Sequence, residues 1–160
     1  MKKYVFTVLM VIWMAIIFVM SARDGNESGD MSHNVGRLIG RIFMPGFEQM
    51  KEDEQEAYAE NIDYYVRKTA HAMEYTILGV LASLCFYYYE IRHYAVMGFL
   101  LGVLYAASDE IHQVFVPGRS GQLTDVMLDS CGVLAGSLTC FLVIKRIRTY
   151  RSHILESSEQ

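Results

Sequence analysis

The sequence is short of the features that mark the common soluble classes. Cysteine occurs three times, at Cys85, Cys131 and Cys140, with no C-x-x-C pair. An odd, unpaired set excludes a disulfide framework and a zinc ribbon. All three lie in apolar runs and read as small buried apolar side chains. The H-E-x-x-H signature of zinc hydrolases is missing, and neither Ser108 nor Ser120 sits in a nucleophile elbow. The formal net charge is only −4, and the basic residues form no stripe interleaved with aromatics. That composition excludes nucleic acid as an expected partner. There is no internal repeat.

What the chain has in quantity is apolar sequence. Its 160 residues are 52% hydrophobic, with a mean hydropathy of +0.20. The apolar residues are gathered into four long runs rather than spread as in a soluble core, which is the mark of membrane spans. The runs cover about residues 4–20, 69–89, 94–116 and 123–144. Each approaches the ~20 residues that cross the hydrocarbon at ~1.5 Å per residue. The first run, preceded by Lys2 and Lys3, competes with a signal peptide. Its length and the bulky Met20 ahead of Ala22 favour an uncleaved first helix. The second and third runs are joined only by EIRH, so they form an antiparallel hairpin, and Pro117 is expected to end the third helix at Val116. Only helices or closed barrels satisfy their backbone in lipid. The expected fold is therefore all-α: a single membrane domain over 1–160, a bundle of four transmembrane helices with a partly helical outer loop at 21–68 and a tail at 145–160.

Orientation follows from the cations near the span ends. Lys2, Lys3, Arg92, Lys145, Arg146, Arg148 and Arg151 fall on one side, against Arg23, Arg67, Lys68 and Arg119 on the other. This predicts both termini inside. In the outer loop, Val35, Leu38, Ile39, Ile42 and Phe43 share one helical face after Ser32. Two placements fit: a helix lying on the membrane surface, or one capping the bundle. Residues 48–63 are strongly acidic and read as a solvated helix face. G-V-L-A-G at 132–136 permits close helix approach, read as packing within the bundle. The tyrosines at 87–89 mark the inner boundary. The tail beyond Arg151 is polar and expected to be mobile.

The polar residues near the span ends are the unusual feature. Arg67, His71 and Glu74 lie four and three apart on one face of the second span, and Tyr105, Asp109 and His112 repeat that spacing on the third. Asp125 and Asp129 open the fourth. Alternation of the spans brings all of them to the same end of the bundle. Asp109 lies seven residues before Val116, so about 10 Å of helix carries it below the surface. A lone carboxylate there costs at least about 2.5 kcal/mol, and such groups persist when paired or when lining a wet cavity. Three readings compete. The cluster is a structural lock. Or His71, Glu74, Asp109, His112 and Asp125 hold a divalent metal, against which two nearby arginines count. Or Arg67 and Arg119 grip an anionic head group while His71 or His112 moves protons with Glu74 or Asp109. The number of such groups at one end favours a functional cavity. The sequence requires no cofactor, and a divalent metal is the candidate it allows.

The motifs R-K-x-x-H-x-x-E-Y at 67–75, D-E-x-H-Q-x-F-V-P-G-R-S-G at 109–121 and D-V at 125–126 resemble those of the VanZ-like membrane proteins. The resemblance runs from Tyr4 to about Ile144. It implies a multi-pass protein of a bacterial-type cytoplasmic membrane. With Glu110, Gln113 and Asp125 expected to join the arginines as binding residues, it groups Arg67, His71, Glu74, Asp109, Glu110, His112, Gln113, Arg119 and Asp125 as one site. It also implies an association with teicoplanin resistance, and assigns no chemistry. The expected function is binding of, or action on, an anionic lipid or a lipid-linked cell-wall precursor, or another cell-envelope molecule, at the outer face. The alternative is a non-enzymatic membrane shield or scaffold whose outer loop modulates surface access or holds a protein partner. Whether a reaction occurs is left open, as is the oligomeric state.

Overall fold

The computed structural model describes residues 1–23 and 25–158, with the backbone alone for 25–28 and 156–158. Five helices follow one another: α1 (Lys2–Ser21), α2 (Gly25–Phe43), α3 (Glu52–Tyr88), α4 (Tyr94–Gln113) and α5 (Leu123–Ser158), with a short 3-10 turn at Phe47–Gln49. Among the described residues there is no strand. Four of the helices, α1, α3, α4 and α5 over Leu123–Leu155, are long and apolar enough to cross a membrane. The all-helical, four-span expectation stands.

The segments between the spans differ from the expected outer loop and tail. From Glu52 on, the acidic stretch read as a solvated helix face is the first part of α3, whose 37 residues make a rod of about 55 Å, well beyond the ~30 Å hydrocarbon core; Glu48 and Gln49 lie in the 3-10 turn before it. The physical reason is an unbroken series of helix formers. No glycine or proline occurs between Met50 and Lys68. Glu52, Asp53 and Glu54 in the first turn suit the helix dipole, and the Lys51 N–H donates to the Glu54 carboxylate at 3.1 Å. The supposed tail likewise continues α5 to Ser158, because nothing after Gly136 breaks it. The third span, conversely, ends at Gln113 rather than Val116. Pro117 bars helical geometry at Val116, and the chain closes turns from Val116 N–H to Gln113 O and from Arg119 N–H to Val116 O.

α3 is the axle of the bundle, touching α1, α2, α4 and α5. It approaches α5 closely through glycines. A Cβ on Gly132 would meet the Ala72 carbonyl, one on Gly136 the Thr76 carbonyl, and one on Gly79 the Val133 carbonyl. The G-x-x-x-G pattern is thus spent inside the bundle, as small residues commonly are in membrane packing. Ile17, Tyr75, Leu78, Ala106 and Val133 form the core beside this seam. Cys85 and Cys140 are buried as expected, but Cys131 is exposed, because it turns to the outside of α5 next to the inward Gly132. At the opposite end from the polar cluster, Arg148 lies 5.1 Å from the Tyr87 ring centroid and Lys2 5.7 Å from that of Tyr88, an aromatic and basic collar of the kind that anchors spans at an interface.

α2 lies against the projecting part of α3, but not by the face its hydrophobicity suggests. The packed side is Ser32, Gly36 and Gly40: the last two leave no room for a side chain over Ala59 and the Phe47 ring. Val35, Leu38, Ile42 and Phe43 are exposed and Ile39 is half-buried. α2 starts at Gly25, well before Ser32, so Ser32 is a packing residue rather than a cap.

Gly136→Ala is expected to cost about 1–3 kcal/mol, the usual range for overpacking. Gly29→Ala, whose Cβ meets nothing within 4 Å, should gain about 0.5–1 kcal/mol from helix propensity. Thermal unfolding in one detergent compares the two; equal effects would mean that the α3–α5 seam is not close-packed.

Candidate functional site

The sequence-predicted site residues gather at the end of the bundle where α3 leaves the apolar core, α4 ends and α5 begins. A cavity of about 250 Å³ lies there, walled by Arg67, Lys68 and His71 of α3, Gln113 of α4, Arg119 of the α4–α5 loop and Asp125 of α5. Tyr64 closes it on the side away from the core. A second, more apolar cavity of about 110 Å³ adjoins it, sharing Arg67, His71 and Arg119 and including Glu74. Of the residues expected to recognise an anion, Arg67, Gln113, Arg119 and Asp125 therefore wall the larger cavity.

Each cation has an anionic neighbour. The Lys68 Nζ pairs with Asp125 Oδ1 between α3 and α5. Arg67 pairs with Asp63 one turn back at 3.0 Å, and Ser32 of α2 donates to the same carboxylate, so α2 helps to fix Arg67. Arg119 is half-buried between the Asp109, Glu110 and Glu74 carboxylates, with Arg67 also within electrostatic reach. Burial lowers its pKa from the ordinary arginine value, Asp109 opposes that shift, and a guanidinium stays charged under both.

The buried acids do different work. Asp109 is 3% exposed. Its Oδ2 accepts from Ser21 Oγ at 2.7 Å and from Gln113 Nε2 at 3.1 Å, which ties α1 to α4 beneath the cavity. Glu110, expected as a binding residue, holds the loop: its Oε2 accepts the Gln122 N–H at 2.8 Å. Gly121 packs so closely on the Glu110 carbonyl that a Cβ would collide with it, and Gly118 takes a φ of 73°. These two contacts explain the glycines of P-G-R-S-G, which fold the loop so that Arg119 lies over Asp109. Asp129, 1% exposed, lies a turn below Asp125, and the Tyr75 hydroxyl sits beside Asp109 and Asp129.

The four acid–base candidates do not share one wall. His71 walls both cavities, and Glu74 the smaller, with His71 Nδ1 and Glu74 Oε2 at 3.8 Å. Asp109 is the buried lock. His112 stacks on Phe18 of α1, ring centroids 4.5 Å apart. Among the described residues, His71 Nδ1, His112 Nε2 and Asp129 Oδ1 are buried with no hydrogen-bond partner. Leaving such atoms unpaired within a membrane costs several kcal/mol each, so this end of the bundle is built to meet water or a ligand. It does not assemble the metal set: among the described residues no three of His, Cys, Asp and Glu come together to hold an ion. Asp125 is committed to Lys68, Asp109 to Ser21 and Gln113, and His112 to Phe18.

Three contributors are hard to see in the sequence. Lys68 looks like a span-flanking charge until it is found facing Asp125. Ser21 closes an apolar run, and its only signal is that a polar residue lies at the same end as the cluster. Gln122 contributes a backbone N–H, which carries no side-chain signal.

A helical bundle with four candidate spans and a charged cavity at one end defines a multi-pass membrane protein with an end-on polar site. The VanZ/LLP1 family model matches residues 6–145, nearly the whole chain, and the chain belongs to that family. No curated protein matches it and no solved structure does.

Ser21→Ala removes the shorter hydrogen bond to a buried carboxylate and is expected to lower stability by about 1.5–3 kcal/mol, the usual worth of a bond to a charged group. Thermal unfolding measures it; a change under about 0.5 kcal/mol would show that Asp109 does not depend on α1.

Proposed function

We propose that this VanZ-family protein binds the anionic head of a lipid or lipid-linked envelope molecule in the larger cavity, at the outer face of the membrane. The observation that carries the reading is the balance of charge around that cavity. Arg67, Lys68 and Arg119 come to it from two parts of the chain, with His71 beside them, and among the described residues Asp125 is the one carboxylate in its wall. Guanidinium groups suit phosphate and carboxylate through paired N–H donors, and desolvation at the edge of the bilayer strengthens each contact. An arriving anion competes with acids already in place, so it exchanges partners rather than meeting bare cations. His71 is the group best placed to give or take a proton from such a ligand, with Glu74 behind it. No reaction is assigned.

The positive-inside pattern supports the outer placement. Lys2, Lys3, Arg92, Lys145, Arg146 and Arg148 flank the spans at the end opposite the cavity, against Arg23, Arg67, Lys68 and Arg119 near it. A site of this chemistry on that face accords with an effect on susceptibility to glycopeptides of the teicoplanin type, the association the family name carries.

Lipid binding by protein in nanodiscs tests the reading, with a neutral-lipid disc as reference. Arg119→Ala is expected to weaken retention of an anionic phospholipid at least tenfold. Substitution of Glu52, Asp53 and Glu54 by glutamine, far along α3, should change it less than twofold. Where the host's glycopeptide susceptibility depends on this protein, the same variants should rank alike. The reverse ranking, with the acidic turn decisive and Arg119 neutral, would support the shield or scaffold alternative.

A further inference from the structure

The smaller cavity has one wall that a head-group site does not need. Met20 from the end of α1, Met31 and Val35 from α2, and Val66 and Ala70 from α3 give it an apolar side. Its other side is shared with the larger cavity through Arg67, His71 and Arg119, and Arg23 also lines it. A molecule touching both cavities must be apolar at one end and anionic at the other. Glu74 stands at the seam, facing His71 and within reach of Arg119.

The apolar wall is continuous with exposed apolar surface. Phe18 and Val19 of α1, beside Met20, are 48% and 59% exposed. On α2, Met31, Val35, Leu38 and Ile42 follow at intervals of four, three and four, and all are exposed. That spacing makes one stripe along the helix. The packing face of α2 against α3 is the separate row of Ser32, Gly36 and Gly40, and the stripe lies beside it. On its remaining sides α2 carries Arg37 and Arg41.

Resting on the head-group reading above, we infer that the smaller cavity is a lateral access for a bilayer lipid, between the end of α1 and α2. The lipid's hydrocarbon chain lies against Met20, Met31, Val35, Val66 and Ala70, and its phosphate reaches Arg67 and Arg119. The ligand class is thereby narrowed to an amphiphile that arrives from the membrane plane, with a phosphate carried directly on a chain-bearing backbone. α2 is the outer jamb of this opening, and the Ser32–Asp63–Arg67 chain ties it to the cation it serves.

Full-length protein in phosphatidylcholine nanodiscs is titrated with three probes: stearoyl lysophosphatidate, stearoyl lysophosphatidylcholine and glycerol phosphate. Val35→Trp fills the access from α2 and Ala70→Phe from α3; both positions are exposed, and thermal unfolding checks that each variant folds. Either substitution is expected to weaken lysophosphatidate at least tenfold and to leave glycerol phosphate within twofold. Arg119→Ala should weaken both phosphates. Undiminished lysophosphatidate binding in the folded Val35 and Ala70 variants would overturn the lateral access while leaving the head-group site standing. Equal binding of the zwitterionic lysophosphatidylcholine would overturn the anionic head-group reading and the access with it. Failure of both phosphates to bind the wild type, or indifference to Arg119→Ala, would overturn the head-group site and the access with it.

Discussion

A carboxylate below the surface of a membrane helix has to be accommodated, and in this protein Asp109 sets the terms for everything around it. An uncompensated charge at that depth costs several kcal/mol. The chain meets the cost with Ser21 from α1, Gln113 one turn on, and Arg119 folded back from the loop. Each of those partners fixes an element. Ser21 fixes where α1 docks. Glu110 and Gln122, with Gly121 pressed on the helix end, fix the loop that carries Arg119. The close α3–α5 seam then sets the distance at which Lys68 can meet Asp125. The cavity is the space these constraints leave.

Seen this way, structural and functional roles of the polar cluster are not alternatives. Asp109 and Glu110 are spent on architecture, and that architecture holds Arg67, Lys68, His71 and Arg119 around one opening. A half-satisfied polar network in a low-dielectric setting is expensive. The buried atoms of His71, His112 and Asp129 that lack partners among the described residues mark where this one is incomplete, and they lie at the same end as the cavity.

Much of this was legible in the sequence for a physical reason. Hydrocarbon demands long apolar runs, so the four spans announce themselves, and alternation of the spans is enough to bring the motifs at 67–75, 109–121 and 125–126 to one end. What was not legible depended on features weaker than hydropathy. From Glu52 on, the acidic run is continuous with a span, which only the lack of a glycine or proline signals. The docking face of α2 is a row of small residues, hidden beside a stronger apolar stripe. Lys68 and Asp125 are a pair only in three dimensions. Family membership supports treating the motif as a unit, yet the geometry divides it: Arg119 faces the opening, Glu110 anchors the loop and His112 leans on Phe18.

The central claim is that the cavity holds an anionic lipid head. Native mass spectrometry of the protein released from membranes of its expression host reads this without any added ligand. The account predicts that wild-type protein carries anionic lipid, and that an Arg67→Ala and Arg119→Ala double variant, folded to the same degree, has lost it while keeping its neutral lipids. Equal anionic lipid on both proteins would contradict the account.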